Sequence, residues 1–195
     1  MTWRSRDRFS RQARREGLLA RSVFKLEELN RRFRLFGPGG RVLDLGACPG
    51  SWTRYILDAV GPSGVACAVD RNPIDRQFKG RVHFVRGDLA ALAPDAFARH
   101  AAEFDAVVSD LAPDTSGIRA LDQARSEELA GLALAWAGRL LARGGHFACK
   151  LFDGPGTAGF RRRAAALFGE VRLAKPKACR RESFELYVVG LGKKG

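Results

Sequence analysis

The stretch RVLDLGACPGSW, residues 41–52, constrains the fold more than any other part of the chain. Val42, Leu43 and Leu45 form a short apolar run that holds one acid, Asp44. Gly46, Pro49 and Gly50 break the run before a helical pattern begins at Trp52. Strand, glycine loop, helix is the order of a βα turn, in which bare backbone can approach a ligand and the next helix offers unpaired N–H groups. The spacing is G-x-x-P-G rather than G-x-G-x-x-G, so alone it reads equally as a ligand loop or a tight structural turn.

The surrounding chain alternates. Before the loop, Val23, Phe24, Leu26, Leu29 and Phe33 fall at helical spacing, with Ser22 as the expected N-cap and Gly37, Pro38, Gly39 and Gly40 ending the element. Strand-like runs cover 41–45, 64–69, 82–85, 106–109, 146–151, a weaker 170–173, and 186–190. Helical runs include 52–60, 126–141 and 159–168. This pattern predicts right-handed βαβ units: an α/β fold with a mostly parallel sheet and helices on both faces. Residues 174–184 leave no room for a crossover helix, so the last two strands should pair as an antiparallel hairpin. A parallel sheet with one late reversed strand resembles the Rossmann-like class I methyltransferase fold of seven strands. One domain over 1–195 is expected, with a basic arm at 1–20 and a core at 21–190.

Charge indicates the kind of partner. Thirty-four Lys and Arg against 21 Asp and Glu leave a formal charge of +13, self-repulsion that favours a polyanionic partner. RNA, DNA and an anionic membrane surface all satisfy that condition. The basic residues cluster early, at Arg8, Arg11, Arg14, Arg15 and Arg21, and late, at 161–163, Lys175, Lys177, Arg180 and Arg181. No apolar run approaches a membrane span and no secretory h-region follows the early arginines, so a cytoplasmic protein without a membrane partner is expected. Cys48, Cys67, Cys149 and Cys179 show no C-x-x-C pairing and read as structural thiols, with no metal site.

In an open parallel sheet, ligands bind beyond the carboxyl ends of the strands. Acids stand in or after four strand-like runs: Asp44, Asp70, Asp88 and Asp110. Any one of them alone reads as a cap or turn residue. Together they suggest a ligand with hydroxyls and amines, Asp70 accepting from a ribose and Asp88 reaching an adenine edge. There is no GxxxxGK[ST], and Pro49 removes a backbone donor from the first loop. A nucleoside without phosphates fits better than ATP or NAD.

The segments RSVFKLEEL, VLDLGACPGSW, AVDRNPID, RGDL, SDLAPDTSG, KLFDGPG and SFELYVV occur in this order over most of the chain. In them the chain resembles the FtsJ/RrmJ family of RNA ribose 2′-O-methyltransferases. The resemblance implies a catalytic Lys-Asp-Lys-Glu set at Lys25, Asp110, Lys150 and Glu185. It also implies S-adenosylmethionine contacts at Gly46, Gly50, Trp52, Asp70, Asp88 and Asp110, with Asp44 and Pro49 in the same loop. Lys150 is expected to accept the proton of a ribose hydroxyl, and Lys25 to steady the alkoxide. The two basic clusters, with Arg8, Arg11, Arg14, Arg15, Arg21, Lys175, Arg180 and Arg181, would hold RNA phosphates. The resemblance points to a uridine of large-subunit (23S) ribosomal RNA, on the RNA or the large subunit, and to a monomer. Ribose methylation of a tRNA anticodon loop or an mRNA cap, and a non-catalytic RNA-binding module, are the alternatives. Cys48, Ser51 and Phe184 depart from the commonest family residues; the first two preserve a small loop, and Phe184 is expected to alter substrate contacts next to Glu185.

Overall fold

The computed structural model describes residues 21–74, 77–97, 101, 103–180 and 182–195. Arg8, Arg11, Arg14, Arg15 and Arg181 lie outside the described residues. In chain order the elements are α1 (Val23–Phe33), β1 (Arg41–Leu45), α2 (Ser51–Val60), β2 (Val65–Asp70), β3 (Val82–Arg86), β4 (Phe104–Ser109), α3 (Arg119–Leu140), β5 (Leu141–Phe152), α4 (Thr157–Leu167), β6 (Phe168–Ala174) and β7 (Glu185–Lys193). The strands form one sheet in the order β3-β2-β1-β4-β5-β7-β6. β1 pairs in parallel with β2 and β4, β2 with β3, and β4 with β5. β7 runs antiparallel to both of its neighbours, β5 and β6. The reversed strand therefore sits where the hairpin reading placed it, inserted between β5 and β6.

The central strands are buried on both faces, which is why β1 and β2 read as continuous apolar runs rather than alternating ones. α1 and α2 cover one face, packing Leu26, Leu29, Trp52, Ile56 and Val60 against Val42, Ala66, Val108, Tyr187 and Val189. α3 and α4 cover the other, with Ala133, Trp136, Ala137, Phe160 and Ala164 against Leu43, Val107, Phe147 and Val188. Such layering sends the carboxyl ends of β1 to β5 to one edge of the molecule.

Three boundaries differ from the sequence reading. α3 starts at Arg119, seven residues before 126, because its first two turns are polar and lack an apolar stripe. Asp122 in those turns accepts from the Ser116 N–H at 2.7 Å and its hydroxyl at 2.8 Å, which ties down the preceding loop. β5 begins at Leu141, directly after α3, through a glycine pair that reads as loop. β6 begins at Phe168, whose ring stacks on Phe147 with centroids 5.7 Å apart rather than ending a helix. Ser22 precedes α1, but its side chain makes no capping bond; its carbonyl instead accepts the Trp52 indole N–H at 2.9 Å.

The Phe147–Phe168 stack needs a bare backbone beside it. A Cβ on Gly190 would stand 2.5 Å from the Phe168 ring, and closely packed cores resist such insertions. Gly190→Ala is expected to cost about 1–3 kcal/mol of stability, read as a lower urea midpoint with an unchanged slope.

Candidate active site

A cavity of about 710 Å³ opens at the carboxyl ends of β1 to β4. Gly46, Asp70, Asp88 and Asp110 line it, with Val69, Leu89, Leu111 and Leu132 as apolar wall. Gly46 has φ +79°, and a Cβ there would meet Leu111 at 2.6 Å, so the loop keeps its backbone bare at this point. Asp70 accepts the Cys48 N–H at 2.9 Å through one oxygen and the Asn72 N–H at 2.8 Å through the other. Each oxygen retains a lone pair for a ligand hydroxyl. Asp88 accepts from the Ala90 N–H at 2.9 Å and pairs with Arg71 at 3.0 Å. Those contacts, the Ala90 bond first, hold its carboxyl below the usual carboxylate range.

The cavity is acidic although the chain is basic. Its lining carries five carboxylates, Asp70, Asp88, Asp110, Asp114 and Glu128, against two guanidiniums, Arg71 and Arg125. Such a lining repels phosphates and favours a ligand with net positive charge. S-adenosylmethionine, a nucleoside bearing a sulfonium and an ammonium, meets that demand. The residues present therefore fit this donor. A second cavity of about 640 Å³ lies by Arg34, Asp105, Arg143 and His146, at the opposite ends of the strands.

The structure separates the expected donor contacts into two groups. Gly46, Asp70, Asp88 and Asp110 stand in the wall, whereas Asp44, Pro49, Gly50 and Trp52 do not line it. The Trp52 indole is 3% exposed and packs on Tyr187, ring centroids 6.0 Å apart, because so large an apolar ring gains most in the core. This leaves Trp52 only its main-chain N–H, in the first turn of α2, for a ligand. Gly50, at φ +97°, has Phe78 where a Cβ would be, at 2.7 Å. Asp44 is wholly buried in β1 and accepts the Thr53 hydroxyl at 2.7 Å. Burial, opposed by that hydrogen bond and reinforced by the charges of Asp110 and Asp70, pushes its carboxyl up to about 7. Its other oxygen and the Ser51 hydroxyl are buried with no hydrogen-bond partner among the described residues.

Beside the cavity, four charged residues from four parts of the chain converge. Lys150 on β5 donates to Asp110 twice, to the carboxylate at 3.0 Å and to the main-chain carbonyl at 2.6 Å. Lys25 on α1 makes an ion pair and hydrogen bond with Glu185 at the start of β7. The side chains of Lys25, Glu185, Lys150 and Asp110 are 9%, 13%, 8% and 19% exposed, so Asp110 is the most open of the four. Burial pushes Asp110 up, but the charges of Lys150 and Lys25 and hydrogen bonds outweigh it, and the carboxyl titrates below its ordinary range.

Tyr187 joins the two pairs, and the sequence reading missed it. Its hydroxyl lies 2.6 Å from the Asp110 carboxylate and 3.0 Å from that of Glu185. Burial, then the two carboxylates, raises its pKa well above 10, so it remains a proton donor at working pH. The available signal was its position two residues after Glu185, which puts both side chains on one face of β7. Lys150 pairs with Tyr187 and Phe152 with Glu185 across β5 and β7, so the register itself assembles the group.

The basic candidates divide similarly. Arg21 directs its guanidinium at the Ala178 carbonyl, and Lys175 donates to the Ser183 carbonyl at 2.6 Å. Lys175 and Arg180 are exposed on the loop that leads into Glu185. Cys67, Cys149 and Cys179 are buried free thiols and Cys48 is an exposed one. Cys179 touches Glu185 at 3.5 Å, and burial pushes it up to about 12. No described helix is long and apolar enough to cross a membrane.

Comparison with known proteins agrees in family and fold. The profile of the FtsJ-like methyltransferase family matches residues 18–193. A Bdellovibrio bacteriovorus protein, ribosomal RNA large subunit methyltransferase E, is 45% identical over the full length of both chains. Its Sorangium cellulosum namesake is 46% identical over 96% of this chain and 88% of its own. Among solved structures, a Plasmodium falciparum chain described as a ribosomal RNA methyltransferase superposes with a TM-score of 0.77 at 23% identity, covering 90% of this chain and 98% of that one. A Methanococcus jannaschii fibrillarin superposes at 0.58 and 15% identity, over 82% of this chain and 69% of its own.

The buried Asp44 carboxyl makes stability depend on pH in a defined direction. Its folded pKa, about 7, lies above the unfolded value of about 3.9, so the folded state binds the proton more tightly. The stabilisation is complete below about pH 4 and is lost as pH rises to about 7. Asp44→Asn keeps an oxygen for Thr53 and removes the titration. Its stability relative to wild type should rise by up to ~1.4 kcal/mol per pH unit across that window, measured by urea unfolding at matched pH values.

Proposed function

This chain belongs to the FtsJ-like methyltransferase family, and from that premise we propose that it transfers a methyl group from S-adenosylmethionine to a ribose 2′-hydroxyl of large-subunit (23S) ribosomal RNA, at a uridine, in the cytoplasm. The observation that carries the reading is the convergence of Lys25, Asp110, Lys150 and Glu185 beside an acidic cavity at the strand ends. The names of the full-length relatives support the choice of RNA.

When bound, S-adenosylmethionine supplies a methyl group made electrophilic by its sulfonium. The residues of this chain do the rest. Asp70 and Asp88 hold the ribose and adenine ends of the nucleoside, and Gly46 lets it lie against the backbone. The reactive form of Lys150 is an amine whose two N–H bonds are taken by the Asp110 carboxylate and carbonyl, so its lone pair is left for the 2′-hydroxyl proton. Lys25, anchored by Glu185, balances the charge that grows on the ribose oxygen. Tyr187 keeps the two carboxylates in register, and with them both lysines. Alignment of oxygen, methyl carbon and sulfur supplies most of the acceleration, on the order of 7 kcal/mol or more where near-attack geometry is held. Exposed Lys175 and Arg180, with Arg21 beside them, bind phosphates on the approach to Glu185.

Lys150→Ala should lower kcat by about a hundredfold or more while leaving S-adenosylmethionine affinity near wild type by calorimetry. Lys150→Arg should fail as well, because a guanidinium does not give up its proton. Wild-type turnover by Lys150→Ala would remove the assignment. Asp70→Ala should do the opposite, weakening the cofactor and sparing RNA affinity. Raising salt should lower RNA affinity along a straight log–log line and leave cofactor affinity almost unchanged.

A further inference from the structure

Phe184 stands beside the proposed site without a part in its chemistry. It directly precedes Glu185, and its ring meets that of Phe152 edge to face, with centroids 4.9 Å apart and planes at 81°. Phe152 lies two residues beyond Lys150 on the same face of β5, paired in register with Glu185. The exposed Arg119, at the start of α3, sets its guanidinium over the Phe184 ring, 5.4 Å from its centroid. Both rings are partly exposed. A cavity of about 230 Å³ adjoins them, lined by Asp153, Leu173, Lys175, Phe184 and Glu185. Exposed Arg161 and Arg162 flank the neighbouring cavity, which shares Leu173.

A pair of phenylalanines left partly open at the rim of a charged site serves no packing need that one buried ring would not meet better. Its surroundings are those of a single-stranded nucleic acid site: an aromatic ring, a guanidinium set over it, and Lys175, Arg161 and Arg162 nearby for phosphates. A T-shaped contact occupies at most one face of Phe184, so Phe152 braces the ring while its other face is left for Arg119 or a base. A guanidinium over that face is flat and weakly hydrated, so a base can slide between it and the ring.

We propose that Phe184, braced by Phe152 and covered by Arg119, is a binding subsite for an unpaired nucleobase of the RNA strand next to the target ribose. The proposal rests on the reading of this protein as an RNA ribose methyltransferase. Stacking one base here holds the strand so that its ribose faces Lys150, and it accepts any base, since every base has a π face.

The test compares wild type with Phe184→Leu, which keeps apolar contact with Phe152 but has no aromatic face, and with Phe184→Tyr, which keeps the face. Matching thermal midpoints establish that all three fold alike. Methyl transfer is measured on large-subunit rRNA from cells lacking the protein, and binding on a short single-stranded RNA carrying 2-aminopurine, whose fluorescence falls when it stacks. The expected result is a KM for RNA about tenfold higher in Phe184→Leu and near wild type in Phe184→Tyr, with the KM for S-adenosylmethionine unchanged. Wild type and Phe184→Tyr should quench 2-aminopurine, and Phe184→Leu should not. Equal KM and equal quenching in wild type and Phe184→Leu overturn the proposal. So does a loss confined to kcat, which marks Phe184 as a mere support for Glu185. If wild type transfers no methyl group yet quenches through Phe184, the base subsite stands and the assigned reaction falls. If it neither transfers nor quenches, both fall.

Discussion

Two ammonium groups and two carboxylates are drawn out of water at the end of the sheet, and each would cost several kcal/mol there if unpaired. Lys25 is matched to Glu185 and Lys150 to Asp110, with the Tyr187 hydroxyl between the carboxylates. The arrangement dictates much of the fold around it. α1 must dock on the face of β7, and β7 must lie beside β5 and run against it. The β4 end must come next to β5. Removing one member would leave its partner buried and uncompensated, a loss on the order of 3–5 kcal/mol. These charges are therefore bound to the architecture as well as to the proposed chemistry.

Electrostatics divides the molecule into compartments. The chain carries +13 overall, yet the cavity at the strand ends is lined by carboxylates. In the proposed reaction the acidic cavity receives the cationic nucleoside, and the basic exterior the anionic RNA strand. Lys150 and Asp110, where the proposal has the two ligands meet, stand on the boundary between the compartments. Asp88 is held as a carboxylate at that edge by the Ala90 N–H and by Arg71, while main-chain N–H groups of Cys48 and Asn72 fix the orientation of Asp70. Asp44 has only a hydroxyl and no cation, and its pKa rises accordingly. Acids that look alike in the sequence thus have different states, set by donors that sequence spacing does not reveal.

Much of the plan was legible because it depends on local patterns. The glycine loop, the strand runs, the missing crossover before β7 and the acids after the strands are all short-range features. Resemblance added the four charged residues. Less legible was whatever depends on packing. Trp52 looks like a ligand contact in its motif, but its ring is claimed by Tyr187 and the Ser22 carbonyl. The first turns of α3 carry no apolar stripe to mark them, and the glycine-rich start of β5 becomes strand only through pairing with β4 at Phe104. For Tyr187 the strand itself discloses one carboxylate, Glu185 two residues before it, but not the second, Asp110, which comes from the far end of β4.

The sequence by itself determined the class of fold, the reversed last strand, the basic charge and the position of the glycine loop, since periodicity and charge act between residues close in the chain. Tertiary structure alone decided which acids line the cavity, which stay charged, and how Tyr187 and the Phe152–Phe184 pair sit around the lysines. Those outcomes hang on contacts between residues as far apart as Lys25 and Glu185, 160 positions along the chain. Their energies are set by burial and by the exact neighbours, and both come into being only when the sheet closes in its final order.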